Sequence, residues 1–143
     1  VELEITETTL MLDAERTLPL LDELRAMGVH LSIDDFGTGY SSLSALQQFP
    51  IGALKIDQSF VRNAADDADD ATIVRTIIEM GRSLGLQVVA EGIETDEQRQ
   101  FLVRSGCQYG QGRLFGDPIA SDDFLEMMVR QATGRHAILR LPA

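Results

Sequence analysis

The chain has 143 residues, 44% of them hydrophobic and 24% charged, with a formal net charge of −11. That length suits one domain, and that apolar content builds a core, which excludes an intrinsically disordered chain. The acidic balance excludes a basic groove for duplex nucleic acid, but not a phosphate ligand, because bound divalent cations invert the local sign.

The elements alternate. VELEIT (1–6) alternates apolar and polar residues and predicts a strand. A helix is predicted over 14–27, with Leu18, Leu21 and Leu24 on one face and Pro19 acceptable only in its first turn. Gly28 stops it and VHLSID (29–34) is the next strand. A short helix over 41–48 ends before Pro50, and ALKID (53–57) is the third strand. The acidic run Asp66, Asp67, Asp69, Asp70 reads as a solvated helix N-terminus. The helix itself is predicted over 71–84, with Ile73, Ile77, Met80 and Leu84 at helical spacing. Gly85 stops it before LQVVAEG (86–92), the fourth strand. Thr95 and Gln98 form a capping box for a helix over 96–105, which Gly106 stops. CQYGQG (107–112) is a weaker fifth strand, a last helix is predicted over 121–132, and the tail from 133 to 143 carries no assignment. Short glycine-capped joins between helix and strand argue for parallel βαβ units. Periodicity does not decide between an open sheet and a closed barrel.

Cys107 is the single cysteine, so no disulfide and no CxxC metal site forms within the chain. It reads as a small core residue of a reducing compartment. His30 and His136 lack any HExxH-like spacing and read as structural or surface residues. No apolar run reaches the ~20 residues of a membrane span, and no signal peptide stands in these residues. The GxGxxG and GxxxxGK[ST] phosphate loops are absent after every strand. Val1 opens inside a strand-like run, as expected of a piece of a longer protein.

The chemistry gathers at strand ends. The first strand delivers Glu4 and then Glu7, and the second Asp34 and Asp35. The third delivers Lys55 and Asp57, the fourth Glu91 and Glu94, and the fifth Gln111. In a βα barrel such ends converge on the face where active sites are built; in an open sheet they line a crevice. Converging carboxylates repel unless compensated, and Mg²⁺ or Mn²⁺ supply that compensation because hard cations take oxygen ligands. Two such ions clamp a phosphodiester and acidify a bound water, and Lys55 among them orients that water or faces a phosphate oxygen. Glycines directly after Asp34 and Asp35 permit a sharp turn close to other groups.

LEITET, DDFGTGYSSL, LKID with Phe60, VVAEGIE and QGRLFG stand in the order and spacing of EAL domains. Over roughly residues 1–130 the chain therefore resembles this family of bacterial cyclic di-GMP phosphodiesterases. The resemblance implies a TIM-like (β/α)8 barrel with one antiparallel strand, here an incomplete barrel of about five βα units. It implies Glu4, Asp34, Asp35 and Glu91 as metal ligands, with Asp34 bridging two metals. It implies Lys55, Gln111 and Glu94 as catalytic or catalytic-support residues. Glu7 resembles the glutamate that holds the regulatory loop, which runs over about 36–43 and opens with Phe36, Gly37, Thr38 and Gly39. Two Mg²⁺ or Mn²⁺ ions and cyclic di-GMP, hydrolysed to linear pGpG, are implied as cofactors and substrate.

Arg113 stands where the family has an aromatic residue, and Asp117 where a basic one is common. The Glu-Ala-Leu signature and the strand with an asparagine ligand are absent. A barrel of about 250 residues places about 100 residues, three strands and two metal ligands upstream of Val1. Residues 1–132 are thus expected to be the C-terminal part of the domain and 133–143 a tail. The fragment is expected to be inactive alone, in a cytoplasmic parent that is free or membrane-tethered and carries sensor or GGDEF domains. An unpaired strand edge is expected to drive homodimerisation or self-association. The alternative is a non-catalytic receptor of cyclic di-GMP or a protein-interaction module.

Overall fold

The computed structural model describes residues 1–39 and 43–132. The end of the predicted 36–43 loop, His136 and the 133–143 tail lie outside the described residues. Five strands form one sheet: β1 (Glu2–Thr6), β2 (His30–Phe36), β3 (Ala53–Ile56), β4 (Gln87–Ala90) and β5 (Tyr109–Gly110). They lie in the order β1-β2-β3-β4-β5, and each neighbouring pair is parallel. Among the described residues the sheet is open, so β1 and β5 each have one partner. The five βα units thus stand as expected, in an unclosed arrangement.

The helices are α1 (Glu7–Leu12), α2 (Ala14–Ala26), α3 (Leu43–Leu46), α4 (Gln58–Asn63), α5 (Ala68–Ser83), α6 (Asp96–Arg104) and α7 (Ser121–Ala132). The helix stops at Gly28, Gly85 and Gly106 take φ of +83°, +71° and +82°, the left-handed conformation that a glycine after a helix supplies. All four residues of β3 are buried, as a strand covered on both faces of a parallel sheet requires. Leu31 and Ile33 of β2, Leu54 and Ile56 of β3, and Val88 and Ala90 of β4 share one core with Val61, Val74, Ile77, Leu102 and Cys107.

Several expectations are corrected. Pro19 sits inside α2 rather than in its first turn. The carbonyl that loses its partner there belongs to Glu15, which is exposed to solvent. The buried stripe of α5 runs through Ala71, Val74, Ile77, Ile78 and Gly81, while Ile73, Met80 and Leu84 are half-buried at its margin. The same helix starts three residues earlier than predicted, because the Asp67 carboxylate caps it by accepting from the Asp69 and Asp70 amides. Helices α1 and α4 fill stretches left unassigned, and the fifth strand contracts to two residues. The Thr95–Gln98 capping box is formed in full. No helix among the described residues is long and apolar enough to cross a membrane.

Candidate functional site

The C-terminal ends of the strands bring the predicted polar residues together around Lys55. In β3, Leu54 and Ile56 are buried and so is the stem of Lys55, whose ammonium emerges among acids. Lys55 Nζ lies 2.7 Å from Glu4 Oε1, 2.5 Å from Glu91 Oε1 and 3.4 Å from Asp34 Oδ1. Gln111 Nε2 donates to the same Glu91 oxygen at 2.7 Å, so strands β1 to β5 all feed one cluster. Burial alone would lower the Lys55 pKa. Hydrogen bonds to Glu4 and Glu91, with the charges of Glu91 and Asp34, outweigh it and raise the pKa beyond the ordinary lysine range. Lys55 is therefore a fixed cation at neutral pH and no proton acceptor. Burial likewise pushes Glu91 up; the Asp34 and Glu4 charges add to that, and Lys55 opposes it.

Adjacent residues of a regular strand point to opposite faces, so Asp34 and Asp35 would not ordinarily share a site. A bulge resolves this. Ile33 pairs with Leu54 and Phe36 with Ile56, so Asp34 and Asp35 together stand against the single residue Lys55. Asp35 takes φ +53°, a left-handed conformation that aspartate tolerates better than most side chains. One oxygen each of Asp34, Asp35 and Glu91 then lies within 4.8 Å of the others. Burial pushes the Asp35 carboxyl up, with contributions from the Asp34 charge and a hydrogen bond to Asp57. Asp57 moves down although burial works the other way, because the Ser59 hydroxyl and amide both donate to it. The period-two spacing of Asp57 from Lys55 places both at the C-terminal end of β3.

The loop after β2 is held from below. Glu7, the first residue of α1, is 1% exposed, and its Oε2 accepts from the Gly37 amide at 2.9 Å and the Gly39 amide at 3.3 Å. Thr38 Oγ1 donates to the Asp35 carbonyl at 2.8 Å, which closes the turn. Phe36 is buried in the core and anchors the loop's start. Among the described residues Glu94 makes no ion pair with the Lys55 cluster; its side chain is half-exposed, with Oε1 3.8 Å from Arg113 Nη1, and Arg113 Nε lies 4.0 Å from Asp117. Arg113 therefore faces two rim carboxylates, including the acid at the position the resemblance marked as departing from a basic residue.

The donor set fits hard divalent cations. Every acidic group offers oxygen, and Asp34 Oδ1 is buried with no hydrogen bond from the described residues, although Lys55 stands 3.4 Å away. Lys55 offsets the Asp34 charge, and the unmet hydrogen-bonding capacity of Oδ1 suits a cation ligand. Ser32 Oγ is also buried without a partner among the described residues, two residues earlier on the same side of β2.

Comparison with known proteins bears on this geometry. The sequence model of the EAL domain matches residues 1–118. MucR of Pseudomonas aeruginosa, named a bifunctional diguanylate cyclase/cyclic di-GMP phosphodiesterase, is 52% identical over 123 residues, which are 86% of this chain and 18% of that protein. A solved MucR phosphodiesterase in complex with cyclic di-GMP superposes with a TM-score of 0.83 at 51% identity, covering 86% of this chain and 50% of the solved one. BlrP1 of Klebsiella pneumoniae, solved with manganese and cyclic di-GMP, gives 0.77 at 38% identity, covering 82% and 30%. The chain thus spans under a fifth of the MucR relative and half of the solved MucR chain.

Proposed function

This chain belongs to the EAL domain family, and on that premise we propose that it supplies the larger part of a two-metal site that hydrolyses cyclic di-GMP to linear pGpG. The observation that carries this reading is the β2 bulge, which turns Asp34 and Asp35 together toward Lys55 and leaves Asp34 Oδ1 without a hydrogen bond among the described residues. Glu4, Asp34, Asp35 and Glu91 are the metal ligands in this reading, and Mg²⁺ or Mn²⁺ the ions. When bound, such ions hold the phosphodiester and acidify a water. Lys55, fixed as a cation, orients that water and neutralises charge that develops on the phosphate oxygens. Gln111 fixes the Glu91 carboxylate through its 2.7 Å bond. Glu7 holds the loop of Phe36, Gly37, Thr38 and Gly39, and Glu94 shapes the rim of the site.

Residues 1–132 form the domain portion and 133–143 the tail in this reading, in a cytoplasmic parent with sensor or cyclase domains. Four acidic side chains are few for two six-coordinate ions, so the chain alone has little or no turnover in this reading. The test joins this sequence to the remaining part of an EAL domain and measures pGpG release with Mn²⁺. Activity that disappears in Asp34→Asn and Lys55→Ala supports the reading, and activity indifferent to both removes it. The edge of β1, unpaired among the described residues, and the exposed Leu3, Phe124, Leu125 and Met128 support self-association of the chain. A single monomeric species in sedimentation at micromolar concentration would count against that.

A further inference from the structure

The turn that follows Asp34 and Asp35 is gripped on two sides. Glu7 bonds the Gly37 and Gly39 amides from the α1 side. On the other side stands Phe60, in α4. A Cβ added at Gly37 would lie 2.9 Å from Phe60 Cε2 and 3.2 Å from Ile77 Cδ1, so the ring edge sits directly against the glycine backbone. Gly37 also has φ +101°, where an L side chain is strained, so two independent constraints make this position glycine. Helix α4 is itself tied to the site: Asp57 caps it by accepting from the Ser59 amide at 2.8 Å, and the Phe60 amide bonds the Asp57 carbonyl at 3.2 Å. The N-cap and first turn of α4 thus place Asp57 at the end of β3 and Phe60 against Gly37.

We propose that Phe60 is a positioning residue, whose ring presses the Gly37 turn onto Glu7 and so holds the Asp34–Asp35 bulge opposite Lys55. The inference rests on the reading of Asp34 and Asp35 as metal ligands only for its consequence, and on packing for its substance. Val61, next to it in α4, is 1% exposed and belongs to the core, with no contact to Gly37 among the nearest neighbours of that glycine. Val61→Ala, a smaller truncation, provides a core-destabilising control in the same helix.

The experiment compares the full chain with Phe60→Ala, Phe60→Leu and Val61→Ala, by amide hydrogen exchange and by Mn²⁺ titration. In the wild type and Val61→Ala, the Gly37 and Gly39 amides are protected in line with global stability. In Phe60→Ala they exchange about tenfold or more faster than that stability predicts, and Mn²⁺ affinity falls about tenfold or more, the scale of losing a group that orients a ligand. Phe60→Leu lies between, and decides the matter if Phe60→Ala does not fold. The proposal is overturned if Gly37 is unprotected in the wild type, or if its exchange in the Phe60 variants tracks global stability as in Val61→Ala. A wild-type chain that takes up no Mn²⁺ removes the metal-site reading and leaves the exchange comparison to decide the role of Phe60.

Discussion

Glu7 Oε2 accepts the amide hydrogen of Gly37 at 2.9 Å, which ties the start of α1 to the loop that follows β2. The carboxylate is buried and accepts from Gly39 as well. Hydrogen bonds to a charged acceptor contribute about 1.5–3 kcal/mol. Glu7→Gln keeps one oxygen but loses the charge that strengthens both bonds. It is expected to lower stability by about 1–3 kcal/mol in urea unfolding. A midpoint equal to that of the wild type would show that the bond does not hold the loop.

Lys55 compensates three carboxylates, so removing it should be felt most without metal. Its side chain is 7% exposed, Glu91 16% and Asp34 25%, whereas Glu4 is nearly half in water. Breaking a buried pair costs about 3–5 kcal/mol, and solvent at Glu4 and Asp34 reduces this to about 2–3 kcal/mol. Lys55→Met is expected to melt earlier than wild type in a chelator and to recover part of the difference with saturating Mn²⁺. An unchanged melting temperature in the chelator would mean that the carboxylates do not depend on the ammonium.

The buried thiol of Cys107 gives a pH signature far from the site. Burial pushes it up to about 11 from 9.0, against hydrogen bonds around Tyr109 and Ala90 that act the other way. Below pH 9 the thiol is neutral in both folded and unfolded chains. Between pH 9 and 11 the unfolded chain ionises and the folded one does not, so stability falls as pH rises, by about 2–3 kcal/mol in total. Lys55, raised above its ordinary value, contributes in the same direction at still higher pH. Cys107→Ala is expected to lose less stability than wild type between pH 8 and pH 10.5 in denaturant titrations. Equal losses would place the thiol's titration elsewhere.

Much of this site was legible because period-two strands with polar residues at their ends follow from side-chain alternation alone. Glu4, Asp34, Lys55, Glu91 and Gln111 converge as that pattern predicts. What alternation hides is the bulge: in a regular strand Asp34 and Asp35 would diverge, and the register shift opposite Lys55 is set by pairing across strands. Helices α1 and α4 are six residues each, too short to show a 3.6-residue period. The Asp57 cap was the one local sign of α4. Glu94 follows the fourth strand as the sequence indicates, and its pairing with Arg113 across the next connection is a tertiary contact that no local pattern contains. The grip of Phe60 on Gly37 spans two strands' connections and is a tertiary fact that no local pattern contains.

The central claim is that Asp34, Asp35, Glu91 and Lys55 form a cation-dependent site for a cyclic dinucleotide. The most direct measurement is calorimetric titration of cyclic di-GMP into this chain with Mn²⁺ and with chelator, beside Asp34→Asn. Saturable binding that requires Mn²⁺ and weakens about tenfold or more in Asp34→Asn is the predicted result. Binding equal in chelator, or equal in the variant, would contradict it.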